Sequence, residues 1–113
     1  MNCLFCKIAN HEISANIVFD DHEFLGFRDI NPQASTHILI IPKRHISSIN
    51  DTNLDDEILL GKLLLRAKQL AQQENLAENG YRLVINTNMH GGQTVNHLHI
   101  HILGGRQFHW PPG

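Results

Sequence analysis

The stretch "NHLHIHILGG", residues 96–105, sets His97, His99 and His101 at alternate positions with Leu98, Ile100 and Ile102 between them. Period-two alternation marks a strand, because successive side chains on extended backbone point to opposite faces. The three imidazoles therefore share one face, roughly 6–7 Å between successive Cα atoms of the row. The three aliphatic side chains share the other and are expected to face a helix. Histidine is not a favoured strand residue, and a plain solvated face is more simply made with Thr or Lys. The row is expected to look outward and to carry chemistry.

The rest of the chain supplies what such a strand needs. "THILIIP", residues 36–42, is a second apolar strand closed by Pro42, and "YRLVIN", residues 81–86, is a third. "NIVFDDHEFLGF", residues 16–27, reads as two short strands around the polar turn Asp20-Asp21-His22. Residues 3–9 suit a helical turn, and "DINPQAST", residues 29–36, is a loop broken by Pro32. Between residues 53 and 74 the period changes. Leu60, Leu63, Leu64, Ala67, Leu70 and Ala71 follow helical spacing, with Asn53 as cap and Asp55, Asp56 and Glu57 at the positive end of the dipole. "NMHGGQ", residues 88–93, is a glycine-bearing loop, and residues 95–103 form the last strand. Short strands, one long helix and no βαβ alternation predict an α+β fold built on an antiparallel sheet.

Composition narrows the function classes. A chain of 113 residues with 42% hydrophobic and 18% charged residues fits one ordinary globular domain. A formal net charge of −2 offers no electrostatic footprint for nucleic acid or a membrane surface. No apolar run suits a bilayer span, and the opening "MNCLFCKIANHEIS" lacks a signal-peptide pattern, so the expectation is a cytoplasmic protein. In such a reducing compartment Cys3 and Cys6, a single C-x-x-C, favour metal or redox chemistry over a structural disulfide.

The histidine row admits two chemistries. His-x-His on a strand is a sound geometry for a catalytic zinc, with a further ligand from elsewhere. Alternatively one imidazole is a nucleophile, since the neutral ring attacks phosphorus near pH 7 and leaves again readily. The adjoining "HGGQT", residues 90–94, bears on that choice: glycine-turn N–H groups can cradle phosphate oxygens, and Gln93 and Thr94 can add side-chain donors. A non-catalytic nucleotide-binding module is a third reading.

His97-Leu98-His99-Ile100-His101-Ile102-Leu103 resembles the His-φ-His-φ-His-φ-φ signature of the histidine triad (HIT) superfamily. "FCKI", "FRDINPQASTHILIIPKRHI", "GYRLVIN" and "HGGQTVNHLHIHILGGRQFHWPPG" extend the likeness over nearly the whole chain, toward the Hint branch of purine nucleoside phosphoramidases. The resemblance implies a single HIT domain over residues 1–113. Its fold is a five-stranded antiparallel sheet with one long and one short helix, the sheets joined in a homodimer. It implies a hydrolase cleaving the P–N bond of nucleoside 5′-phosphoramidates through a covalent nucleotidyl-histidine, with a small AMP-like purine nucleotide as its substrate partner and no organic cofactor.

Carried over by residue, the resemblance makes His99 the nucleophile, one of its ring nitrogens donating to a backbone carbonyl near His97. His101 then contacts the phosphate and helps protonate the leaving amine, and His37 supports the triad. Asp29 and Ile30 line the nucleoside pocket, with Asp29 accepting ribose hydroxyls. Phe5, Ile8, Leu25 and Phe27 join Ile30 in the apolar wall expected around a purine. Asn86 contacts ribose or phosphate, and Gly92, Gln93 and Thr94 form the phosphate loop. Thr94 stands where many relatives carry serine, and Asn96 where an aromatic residue is common. Trp110 in the Pro-stiffened tail reaches the partner subunit near its pocket. Cys3, Cys6, His45 and His97 form a structural zinc site, a set in which only His97 belongs to the triad.

Overall fold

The computed structural model describes residues 2–113. Its elements are α1 (Leu4–Ala9), β1 (Ile17–Asp20), β2 (Phe24–Arg28), β3 (Thr36–Pro42), α2 (Glu57–Gln73), β4 (Tyr81–Val84), α3 (Asn88–Gly91) and β5 (Ile100–Gly104). The strands form one antiparallel sheet in the order β1-β2-β3-β5-β4. The histidine-bearing strand is thus held between two others, with Leu39 and Val84 both opposite His101.

The alternation expected of the last strand sorts its side chains as the pleat requires. Ile100 and Ile102 are fully buried on the α2 side, with Ile38, Ile40, Phe24, Leu63, Ala67 and Leu70. Burying each such aliphatic side chain contributes about 1.5–3 kcal/mol. Leu39 and Ile41 of β3 and Leu25 and Phe27 of β2 pack on the opposite face against Phe5, Ile8 and Ala9 of α1. Both faces of β2 and β3 are therefore covered, which explains why these strands read as continuous apolar runs rather than alternating ones. The sequence assigned a covering helix to one face alone; six residues of α1 cover part of the other.

Three boundaries differ from expectation. The long helix is preceded by a 3₁₀ turn, Leu54–Asp56, where Asn53 accepts from the Asp55 N–H and Asp56 accepts from the Asn53 N–H. This capping box satisfies donors that a helix start otherwise leaves open. The loop at residues 88–93 contains one helical turn, closed by Gly92 at φ 79°, a left-handed conformation that glycine adopts without strain. Regular β5 begins only at Ile100, because residues 95–97 bend: His97 N–H returns to the Val95 carbonyl and Leu98 N–H reaches the Ile46 carbonyl. His97 and His99 thus precede the ladder instead of lying in it.

Candidate active site and metal centre

The triad faces inward rather than to solvent. His97 is fully buried, His99 is 4% exposed and His101 is half-buried. Phe5 of α1 packs edge-on against the His99 ring at 5.1 Å, which explains the burial that the strand pattern alone did not predict. A cavity of about 270 Å³ remains in front of His99 and His101. Phe5, Ile8, Phe27, Ile30 and Leu39 supply its apolar wall, and Asp29, Thr94 and Val95 lie along it.

Backbone groups choose which nitrogen of each imidazole carries the proton, because an N–H only donates and a carbonyl only accepts. His99 Nδ1 lies 2.6 Å from the His97 carbonyl, so Nδ1 is protonated and donates, leaving the lone pair on Nε2. His97 Nε2 lies 2.7 Å from the Pro42 carbonyl, so its lone pair is on Nδ1. His37 Nδ1 accepts from the Gln33 N–H at 3.1 Å, so its proton is on Nε2. That Nε2–H donates to His101 Nδ1 at 2.9 Å, which puts the His101 proton on Nε2. Of the two triad rings that line the cavity, His99 therefore has the bare nitrogen and His101 the N–H donor.

Every ring of this group is held neutral. Burial, with lesser repulsion from His99 and His37, pushes His101 from 6.5 down to about 4 against the pull of Asp29. Burial also lowers His37 and His99, again opposed by Asp29, and lowers His97 against its bond to Pro42. A neutral His99 keeps the lone pair that attack requires.

Asp29, His37 and His101 lie close enough together to suggest a cation site, with His37 Nε2 3.5 Å from the Asp29 carboxylate. The proton on His37 Nε2 argues against it: a metal there would need that lone pair, and the Gln33 N–H has claimed the other nitrogen. A second cluster has the opposite character. Cys3 Sγ and Cys6 Sγ lie 3.4 and 3.5 Å from His97 Nδ1, Cys6 Sγ 3.3 Å from His45 Nδ1, and the two Nδ1 atoms 3.2 Å apart. Edges of a tetrahedral zinc site with two sulfur and two nitrogen ligands are about 3.3–3.8 Å. His97 Nε2 on Pro42 and His45 Nε2 on Ser47 Oγ, at 3.3 Å, leave both Nδ1 atoms for the cluster. Burial, then the hydrogen bond and charge of Cys3, push the Cys6 thiol up to about 11, a cost that a cation among the four ligands would offset. The four residues named from the sequence are thus brought together, and they fit a metal.

Other expected residues land differently. Gly92, Gln93, Asn86 and Trp110 do not line the cavity. The Gln93 amide donates to the Ser47 and Val95 carbonyls at 2.7 and 3.0 Å and accepts from the Asn88 N–H at 3.0 Å. Its side chain thus braces the loop, and the Gly92 and Gln93 N–H groups close the α3 turn. Thr94 is exposed at the cavity rim. Asn86 is half-buried against Gly91. Trp110 is 82% exposed, so it does not pack on its own domain. Ile30 is fully exposed at the mouth, while Leu25 lies behind the wall, in the core rather than on the cavity. Leu39 was missed, although its place two residues after His37 on β3 puts it on the same face. The Gln33 N–H and Pro42 carbonyl were also missed; backbone groups carry no residue-type signal.

Comparison with known proteins places this constellation. Residues 2–109 match the family described as "Scavenger mRNA decapping enzyme C-term binding". The chain is 54% identical over 110 residues to an uncharacterised HIT-like protein of Synechococcus elongatus, covering 97% of this chain and 96% of that one. The chain belongs to the histidine triad family. It is 52% identical over 103 residues to the purine nucleoside phosphoramidase of Escherichia coli K12, covering 91% of this chain and 87% of that protein. The crystal structure of a HIT family hydrolase from Legionella pneumophila Philadelphia 1 superposes with a TM-score of 0.98 at 64% identity, covering 99% of this chain and all of that one. The five-stranded antiparallel sheet with its helices is thus the HIT fold.

Proposed function

We propose that this HIT protein is a hydrolase that cleaves the P–N bond of purine nucleoside 5′-phosphoramidates through a nucleotidyl group carried on His99. The observation that carries this reading is the 2.6 Å bond from His99 Nδ1–H to the His97 carbonyl, which leaves a neutral Nε2 lone pair at the cavity. The apolar wall of Phe5, Ile8, Phe27 and Leu39 suits a purine, and Asp29 suits the ribose hydroxyls. Thr94, whose hydroxyl and N–H make no hydrogen bond among the described residues, suits the phosphate oxygens.

In the first step His99 Nε2 forms a bond to the α-phosphorus. The P–N bond breaks, its electron pair stays with the amine nitrogen, and His101 Nε2–H supplies the proton that this nitrogen needs as a solvent proton takes its place on Nε2, so His101 ends the step neutral. In the second step water attacks phosphorus, the P–Nε2 bond breaks with its electron pair returning to His99, and the proton of the water leaves to solvent, releasing the nucleoside monophosphate. His37 keeps His101 in the donating tautomer throughout. Incubation with adenosine 5′-phosphoramidate should release AMP. His99→Ala should lose at least about 10³-fold in turnover, as loss of a nucleophile does. Full turnover by that variant contradicts the reading, and AMP binding without turnover by the native protein would point to a binding module.

Cys3, Cys6, His45 and His97 would hold a zinc ion, which supplies no reactive water there and serves to tie α1 to the start of the histidine row. Elemental analysis should find one zinc per chain, lost in the Cys3→Ser, Cys6→Ser double variant; a variant that keeps its metal would put the ion on the triad instead. We further infer a homodimer in a cytoplasmic setting. β4 lies at the edge of the sheet, and Ile58 and Leu65 on the long helix, with Leu54 in the turn before it, leave apolar side chains exposed. No helix among the described residues is long and apolar enough to cross a membrane.

A further inference from the structure

The proton arrangement in the site begins at a backbone amide, Gln33 N–H, on an exposed loop. Such a loop is free to move unless something holds it, and small movements of a donor spoil a hydrogen bond quickly. Within the loop the Asn31 N–H donates to Asp29 and the Gln33 side-chain amide to the Asn31 carbonyl, and at its ends the Asp29 N–H donates to the His37 carbonyl; two further contacts come from outside it, both from the corner that follows β5. Gly105, at φ 95°, approaches Ser35 so closely that a Cβ at that position would lie 2.7 Å from the Ser35 Cβ. Arg106 then reaches back to the Gln33 carbonyl, with Nη2 at 3.1 Å and Nε at 3.4 Å. Its guanidinium is steadied by the Phe108 ring, 4.2 Å away.

We propose that the Gly105–Arg106 corner is a positioning element for the proton-donating arm: by holding the Gln33 peptide it aims the Gln33 N–H at His37 Nδ1, and so fixes which nitrogen of His37, and through it of His101, carries the proton. The chain of contacts is continuous. Arg106 grips the Gln33 carbonyl, the Gln33 N–H fills His37 Nδ1, and His37 Nε2–H fills His101 Nδ1. With the Gln33 N–H displaced, His37 is free to carry its proton on Nδ1. Its bare Nε2 then faces His101 Nδ1, and His101 must turn its own proton inward to keep the bond. The nitrogen that faces the cavity loses its hydrogen, and the leaving amine loses its donor. Arg106 touches no substrate in this scheme and acts only through the loop.

The functional half of this inference rests on the reading of His101 as the acid for a leaving amine, whereas the positioning half can be read in the protein without substrate. Imidazole nitrogen-15 spectra distinguish a protonated ring nitrogen from a bare one. In the native protein at neutral pH His37 should appear as the Nε2–H tautomer. Arg106→Gln, a change on the surface, should give a mixture of both tautomers, while Arg106→Lys, which can still donate to the Gln33 carbonyl, should lie nearer the native spectrum. Arg82→Gln removes the bond to the His109 carbonyl and the more distant of the two guanidinium contacts on Phe108, keeps the Arg106 stack and both Arg106 bonds to the Gln33 carbonyl, and should leave the His37 signals unchanged. With adenosine 5′-phosphoramidate, Arg106→Gln should lower kcat about tenfold, a fraction of the effect of a general acid, with KM nearly unchanged. Native His37 signals in Arg106→Gln would overturn the proposal. A shifted tautomer with native kcat would overturn its link to proton delivery. A shifted tautomer in a protein whose native form releases no AMP would refute the phosphoramidase reading and leave the positioning role standing.

Discussion

His99 keeps its lone pair on Nε2 because its Nδ1–H donates to the His97 carbonyl, and the same reasoning assigns the other three rings. His97 turns its lone pair to the cysteines because Pro42 takes its Nε2–H. His37 and His101 pass a proton position outward from the Gln33 amide. Neutrality of these rings links the site to stability. An unfolded histidine titrates near 6.5, whereas native His101 is held down to about 4 by burial first and by its histidine neighbours second, and His37 is lowered by burial. Between those pH values the unfolded chain binds protons that the native rings refuse. Stability is therefore fully present above pH 6.5 and is lost as pH falls toward 4. Denaturant titrations should give a lower midpoint at pH 5 than at pH 7, and His101→Asn should show a shallower slope. An equal slope in that variant would contradict the assignment to His101.

The loop from α3 to β5 works as a unit because of Gln93. One side chain joins Asn88, Ser47 and Val95, so three stretches of backbone meet at a single amide. Gln93→Ala leaves the Ser47 and Val95 carbonyls without that partner, at a cost of about 1–3 kcal/mol. A thermal or chemical melt should report a loss in that range, and an unchanged melt would show that the brace is dispensable. This loop also marks how far the sequence could be read. Period-two alternation in residues 97–103 separated Ile100 and Ile102 from the histidines correctly, since pleat geometry depends on local backbone alone. The role of Gln93 was not legible, because a glutamine beside Gly-Gly looks the same whether it faces ligand or backbone. Nor was the burial of His99, which follows from Phe5 arriving from α1, 94 residues away along the chain. Cys3 and Cys6 with His45 and His97 were legible only through family resemblance: spacing suggests two ligands on one helix start, but their histidine partners come from other segments.

The sheet order explains how these distant parts meet. Placing β5 between β3 and β4 lets β3 present His37 beside His101, while α1 closes the face that α2 leaves open. The fold class followed from short strands and one long helix; the order of the strands did not, because β3 and β5 are joined across 57 intervening residues. The arrangement also leaves surface to cover. Leu54 and Ile58 are 82% and 75% exposed, and β4 ends the sheet. Sedimentation equilibrium should accordingly report twice the 12.8 kDa chain mass at micromolar concentration. A single-chain mass would contradict the homodimer and leave the exposed Trp110 without the partner pocket assigned to it.

The central claim is that His99 bonds to phosphorus and lets go. It is tested most directly by rapid-quench intact-mass spectrometry during turnover of adenosine 5′-phosphoramidate. The account predicts a transient species heavier by one adenylyl group, mapped to residue 99 and absent from His99→Ala. Steady AMP release with no such species at any time, or with the group mapped to another residue, would contradict it.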